Sequence, residues 1–306
     1  MKLAHLSDLH FTTFFRNSEL YGIESILRYC NSQNVDHLII TGDLVEKPEP
    51  YDFELLRKVF KQNGFLTSDR LSLVIGNHDI FGGVLTIDDV FNFPKHCENI
   101  NYKKSVVEFC SHFKESFDGC CYISRKNIFP YAKVIDDVLI IGLNSVAEYS
   151  KTKNIFASNG EITHEQLNEL ETIFKLFNEC KTKIILIHHH FKTMKSLHEN
   201  KFGSFWQIIE KQTMKLRTKG KLMEMFNEYN VDMVLHGHYH ESSEYFRKGV
   251  RFLNAGGSFK NELLNQNQVN FLETNRTSLK VEIIRLSHQI FPQLLSPKQF
   301  QSINIS

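Results

Sequence analysis

Apolar residues in this chain fall into short runs, separated by longer stretches in which they recur every three or four positions. Runs at 2–7, 37–41, 71–75, 184–187 and 231–235 have the length and composition of buried strands. Leu20, Ile23, Ile26, Leu27 and Cys30 repeat at helical spacing and predict a helix over about 18–33. A second helix at about 51–62 is introduced by Pro48 and Pro50. A third at about 163–178 opens with Thr163 and Gln166 placed as a capping box, and a fourth covers about 221–229. Strands alternating with helices predict βαβ units and a mixed or mostly parallel sheet, an α/β fold.

Residues 132–145 predict a hairpin, its two apolar runs parted by Asp136-Asp137, a weaker turn signal than Asp-Gly. The C-terminal part alternates weakly, at 269–272 and 279–286, and reads as a second sheet. Two stretches fit neither period. The first, at about 80–130, is rich in Phe, Cys and charge, has mixed helical signal around 103–117, and reads as an insertion shaping access to a site. The second, 192–221, holds eight lysines and arginines around Trp206, the one tryptophan. A solvated helical face is the plainer reading of such a run, and a positively charged flap over a phosphate is the alternative. The chain is therefore read as one domain, 1–288, carrying both insertions, with a tail at 289–306.

The five strand-like runs share one property, which is a polar cluster at the carboxyl end. In order these clusters are Asp8-Leu9-His10, Gly42-Asp43, Gly76-Asn77-His78-Asp79, His188-His189-His190 and His236-Gly237-His238-Tyr239-His240. Open α/β sheets bind ligands beyond the carboxyl ends of their strands. Asp8/His10 and His238/His240 are each spaced i, i+2, so in extended backbone each pair projects to one side. Carboxylate and imidazole together suit Mn, Fe or Zn better than Mg or Ca. Gly42 and Gly76 let backbone and ligand approach closely, and an aspartate after such a glycine can bridge two cations, the role expected of Asp43. Two divalent cations held by Asp8, Asp43, a bridging hydroxide and neutral ligands leave the site positive by about one unit, which favours a bound phosphate. Singly, Asp-x-His or Gly-Asp carries little; the ordered set carries the argument. His5, His37 and His236 sit within or beside strand runs and are read as structural.

Bulk composition bounds the rest. The 306 residues are 42% apolar, enough for a substantial core. A formal charge of +1 gives no global reason to expect a nucleic-acid partner, although a local basic patch stays open. Six cysteines show no zinc-type spacing and read as reduced thiols. With no secretory segment before Asp8 and no apolar run of membrane-spanning length, a cytoplasmic protein is expected. The 26 phenylalanines read first as core, with a few left to line a groove.

The ordered set Asp8-x-His10, Gly42-Asp43, Gly76-Asn77-His78-Asp79, His188 and Gly237-His238-x-His240 resembles the calcineurin-like metallophosphoesterase superfamily. The opening Ala4-His5-Leu6-Ser7-Asp8-Leu9-His10-Phe11 is most similar to its cyclic-nucleotide phosphodiesterase-like branch. Asn254-Ala255-Gly256-Gly257-Ser258 resembles the glycine-serine segment that often follows. The resemblance implies a sandwich of two central mixed sheets flanked by helices, and two divalent transition-metal ions. Asp8, His10, Asp43 and His240 would bind one metal; Asp43, Asn77, His188 and His238 would bind the other. His78 would stabilise the transition state or protonate the leaving oxygen, and Asp79 would orient His78 or a ligand. The implied activity is hydrolysis of a nucleotide-type or other phosphodiester by a metal-bound hydroxide. Hydrolysis of lipid-linked or nucleotide pyrophosphates, nuclease action, and a non-catalytic scaffold are the alternatives. Related chains commonly read His-His-Pro where this one has His188-His189-His190-Phe191, so the register favours His188 over His189 without closing the choice.

Overall fold

The computed structural model describes residues 1–13, 18–83, 87–124, 126–191, 216–240, 242–259, 267–275 and 278–286. Two mixed sheets lie face to face. The first has the order β12–β11–β1–β2–β3, built from β1 (Lys2–Leu6), β2 (His37–Ile40), β3 (Leu71–Leu73), β11 (Asn267–Asn275) and β12 (Ser278–Leu286). The second has the order β4–β5–β6–β7–β8–β10–β9. Its members are β4 (Cys121–Tyr122), β5 (Tyr131–Ile135), β6 (Val138–Gly142), β7 (Thr182–Leu186), β8 (Met233–His236), β9 (Ser243–Arg247) and β10 (Val250–Asn254).

Period-two alternation explains the layering. In the second sheet Ile140, Ile184, Leu186, Met233, Leu235 and Leu253 join a core shared with Leu3, Leu6, Leu38 and Ile40 of the first. Their neighbours Leu139, Ile141, Ile185, Val234 and Phe252 face the other way. There they pack against α7 (His164–Leu176) and α8 (Lys219–Glu228) through Leu170, Phe174, Leu222 and Phe226. On the first sheet α1 (Ser18–Ser32) and α2 (Pro50–Gln62) bury Ile23, Ile26, Leu27, Leu56 and Phe60. Central strands such as β6, β7 and β8 are thus apolar on two sides, as expected of a sandwich covered by helices, whereas the edge strand β9 alternates between half-buried and exposed.

The strands, helices and hairpin read from the sequence are present with ends shifted by up to three residues. The capping box is only half made. Thr163 accepts from the Gln166 amide at 3.2 Å, but the Gln166 side chain turns to the Asn144 peptide, accepting from its N–H and donating to its C=O. The stretch 80–130 holds more helix than its pattern predicts: α3 (His78–Phe81), α4 (Ile87–Glu98), α5 (Tyr102–His112) and α6 (Lys114–Phe117). Its phenylalanines are mostly core. Phe109 and Phe113 lie edge-on or tilted against Phe53 and Phe60 of α2, and Phe117 and Phe129 pack on Tyr131.

The C-terminal part is not a sheet of its own. The β11–β12 hairpin adds to β1 antiparallel, pairing His5 with Asn270, while β9 and β10 extend the other sheet beyond β8. Without β11, the second edge of β1 would present unpaired N–H and C=O groups in the middle of the sandwich. Residues 192–215 of the basic stretch, Trp206 and the tail at 289–306 lie outside the described residues. No helix among the described residues is long and apolar enough to cross a membrane.

Candidate metal centre

The parallel strands β1, β2 and β3 end in register at Leu6, Ile40 and Leu73, and β7 and β8 end beside one another at Leu186 and Leu235. The loops leaving these five ends carry the candidate ligands, so the first sheet supplies Asp8, His10, Asp43 and Asn77 and the second supplies His188, His238 and His240. Two groups of ligand atoms form. In one, His10 Nε2 is 3.0 Å from His240 Nε2 and 3.9 Å from Asp43 Oδ2, and His240 Nε2 is 3.8 Å from Asp8 Oδ1. In the other, His188 Nε2 is 3.1 Å from Asn77 Oδ1, 3.1 Å from His238 Nδ1 and 3.3 Å from Asp43 Oδ2. Asp43 Oδ2 is grouped with His188 and His238 and lies 3.9 Å from His10 Nε2 of the first group.

These residues fit a pair of cations. Ligand atoms about 2.1 Å from a common transition metal stand about 3.0–3.4 Å from one another; the second group has these spacings, and the first has one of 3.0 Å beside wider ones of 3.8 and 3.9 Å. Imidazole nitrogens facing each other at 3.0 Å need something between them, a proton or a cation. The ion-pair partners of Asp8 and Asp43 among the described residues are histidines. Burial opposes a proton on His188, yet Asp43 beside it and Asp8 beyond hold its pKa up at about 9. A proton there occupies the place of a cation, and the two compete.

The backbone that presents these groups is unusual. Asp8, His10, Asp43 and His238 all have positive φ, between 44° and 68°. Asp8 and His10 are therefore not in extended conformation, and their convergence comes from two left-handed residues rather than from strand alternation. Parallel pairing continues past the strand ends, Asp8 N–H donating to Gly42 O and His10 N–H to Asp43 O, both at 3.1 Å. Gly42 has φ +91°, and a Cβ there would meet His188 Nδ1 at 2.6 Å; one on Gly76 would meet the Asp43 backbone nitrogen at 2.2 Å.

His78 lies beside the first group. Its N–H donates to Asp43 Oδ1 at 2.8 Å, and its ring stands edge-on to His10 with centroids 4.5 Å apart. Burial pulls its pKa down, but Asp43 and Glu46 outweigh this and raise it to about 9. Asp79 touches neither His78 nor a candidate ligand through its carboxylate. It accepts from the amides of Leu44, Val45 and Gly76, tying the Asp43 loop to the Asn77 loop. Glu46 escaped the sequence reading. Its Oε2 is 2.9 Å from His10 Nδ1 and its Oε1 is 3.4 Å from His78 Nδ1. Burial opposes its ionisation, and the two imidazoles hold its carboxyl down at about 2. The one signal was position, an acidic residue ending the apolar pair after Gly42-Asp43.

Of the three consecutive histidines, His188 enters the second group, whereas the His189 ring lies 2.8 Å from Ser145 Oγ and 3.2 Å from Ser158 O. His5, His37 and His236 are buried beside Thr41, Ser72 and Tyr245 respectively, and burial lowers each to about 3.

Comparison with known proteins agrees with this geometry. A family model described as calcineurin-like phosphoesterase matches residues 1–242. An uncharacterized metallophosphoesterase-like protein of Bacillus subtilis (strain 168), YydB, is 26% identical over 267 residues, 79% of this chain. This chain spans about half of that relative, 49% of its length. Among solved structures, a dimetal phosphatase from Danio rerio superposes with a TM-score of 0.59 at 9% identity, covering 94% of this chain and 99% of its own. The purple acid phosphatase PPD1 of yellow lupin gives 0.54 at 13% identity, over 93% of this chain and 51% of its own. Both likenesses are of fold. With the family match spanning most of its length and the site assembled from the same stretch, this chain belongs to the calcineurin-like phosphoesterase family.

Proposed function

We propose that this chain is a dinuclear, metal-dependent phosphodiesterase. Asp8, His10, Asp43 and His240 hold one divalent transition-metal ion, Mn, Fe or Zn, and Asp43, Asn77, His188 and His238 hold the second. The observation that carries the reading is the position of Asp43 Oδ2, 3.9 Å from His10 Nε2 on one side and 3.3 Å from His188 Nε2 on the other. Bound there, the cations supply Lewis acidity toward phosphoryl oxygens and an activated water. Asp43 fixes their spacing, and its Oδ1 holds the His78 backbone in place. With Nδ1 of His78 engaged by Glu46, its Nε2 serves to hydrogen-bond a phosphoryl oxygen or to protonate the leaving oxygen. Asp79 acts through the loops it ties rather than on the substrate.

The resemblance of residues 4–11 to the cyclic-nucleotide branch supports a nucleotide-type diester as substrate. Six free cysteines are in keeping with a cytoplasmic setting. No observation favours a lipid-linked substrate, since the phenylalanines that motivated it are mostly packed in the core. The test compares initial rates on bis(p-nitrophenyl) phosphate and p-nitrophenyl phosphate after loading with Mn²⁺, with Asp43→Asn as control. Metal-dependent turnover favouring the diester is expected. Full turnover by Asp43→Asn in saturating metal overturns the reading, and absence of turnover with two metals bound points instead to a scaffold.

A further inference from the structure

A metal-ligating imidazole is usually held in orientation by a hydrogen bond from the nitrogen that does not ligate. His188 follows this pattern, its Nδ1 lying 2.8 Å from Thr41 O. His238 does not. Its Nδ1 faces His188 Nε2, while its Nε2 is buried and has no hydrogen-bond partner among the described residues. The His238 N–H donates to the Asp8 carboxylate, which fixes the backbone but not the ring. The ring must therefore be held by what packs on it. Of the three neighbouring imidazoles, His189 is the nearest, with centroids 4.5 Å apart, against 4.9 Å for His188 and 6.0 Å for His190.

His189 is itself locked. The ring is fully buried, and burial holds its pKa well below the usual imidazole range. Ser158 O can only accept, so Nε2, 3.2 Å away, carries the proton. Nδ1 then accepts from the Ser145 hydroxyl at 2.8 Å, and Ser145 Oγ accepts in turn from the His189 N–H at 3.2 Å. Neither ring nitrogen is left with a lone pair for a cation. Gly160 also closes on the ring, since a Cβ there would come within 2.5 Å of His189 Cγ.

Ser145, Ser158 and Gly160 all belong to the loop 143–163 between β6 and α7. Because β6 runs parallel to β7, this loop leaves the same edge of the sheet as the ligand loops. It is pinned at two further points: Tyr102 OH donates to Val146 O at 2.6 Å, and the Arg217 N–H donates to Gly160 O at 2.9 Å.

We propose that His189 is a positioning residue: the loop 143–163 locks its ring, and the locked ring holds His238 in the orientation that ligates a cation. This rests on the dinuclear reading above. Outer contacts to a ligand typically carry about 10–100-fold in metal affinity. Ser145 and His189 form one device, so removing both should cost little more than removing either.

The experiment measures Mn²⁺ affinity and stoichiometry by equilibrium dialysis, with low-temperature EPR on the same samples. It compares wild type, Ser145→Ala, His189→Asn, the double variant and Ser72→Ala. Ser72 is a buried hydroxyl 2.8 Å from His37 Nε2 and serves as a control for lost stability. Two ions per chain and a coupled-pair signal are expected for wild type and Ser72→Ala. Ser145→Ala and His189→Asn should each bind Mn²⁺ about 10–100-fold more weakly, with the coupled-pair signal reduced, and the double variant should match the weaker of the two. Ser145→Ala removes one oxygen and carries the test alone if His189→Asn fails to fold. Single variants that bind as wild type does, or losses that add in the double variant, overturn this inference alone. Wild type that binds fewer than two ions overturns the dinuclear reading and this inference with it.

Discussion

Asp43 Oδ2 and His188 Nε2 meet at 3.3 Å although the first sheet carries one residue and the second carries the other. A cation bound between them joins the two sheets. Loading with Mn²⁺ should therefore stabilise the folded chain by about 2.7 kcal/mol per site at 100 times the dissociation constant, and so raise its unfolding temperature. Asp43→Asn should lose most of this gain, measured by thermal unfolding with and without chelator. An equal gain in that variant would mean that the metal binds elsewhere.

Glu46 fixes the rings of both His10 and His78, one through each carboxylate oxygen. Glu46→Gln keeps the shape but removes the charge and one acceptor. We expect turnover of the diester to fall about 10–100-fold, with kcat affected more than KM. Unchanged kcat would leave Glu46 a spectator.

Gly76→Ala places a methyl 2.1 Å from Asp43 Oδ1 and 2.2 Å from the Asp43 nitrogen. The second contact is with backbone and cannot be relieved by a rotamer change. The variant should fold, since the strands lie below the loop, yet bind metal weakly; calorimetric titration with Mn²⁺ checks this.

Much of this site was readable in advance because its residues sit where short apolar runs stop, and strand ends are local features. Asp8, Asp43, Asn77, His188 and His238 came together as their positions implied. The reason given for the i, i+2 pairs was wrong, since Asp8 and His10 are left-handed, a property that side-chain identity does not reveal. Glu46 lacked a motif of its own and became visible only through the rings it touches. The pairing of β1 with β11 joins residues some 270 positions apart, His5 with Asn270 among the nearest, and no local pattern records it. The helices of 80–130 were obscured because their phenylalanines pack on several neighbours at once and so break a clean 3.6 period.

Lys133 is buried, with its ammonium donating to the carbonyls of Ser68, Leu71 and Ser116 at 3.0, 2.9 and 2.7 Å. Burial pulls its pKa down to about 8. Lys133→Met fills similar space but strands three acceptors, and should destabilise the chain by about 3 kcal/mol. Urea unfolding measures this, and metal stoichiometry of the folded protein should not move.

Burial holds His37 near a pKa of about 3, with its Nδ1 against Asp69 O and its Nε2 against Ser72 Oγ. The unfolded chain takes up this proton near 6.5, so between the two values it binds more protons than the native state. The contribution is present in full above pH 6.5 and is lost as pH falls toward 3. Denaturant midpoints across that window should drop with acid, and the slope should be shallower in His37→Gln. An identical slope would assign the acid sensitivity to other groups.

Four candidate ligands share a backbone conformation that most side chains avoid, at a cost of order 1 kcal/mol each. Glycine at any of these positions would relieve that cost, but glycine carries no side-chain donor. At Asp8, His10, Asp43 and His238 the residue that would ease the turn is therefore one that could not serve as a ligand, so backbone strain and ligand chemistry pull in opposite directions at the same four places.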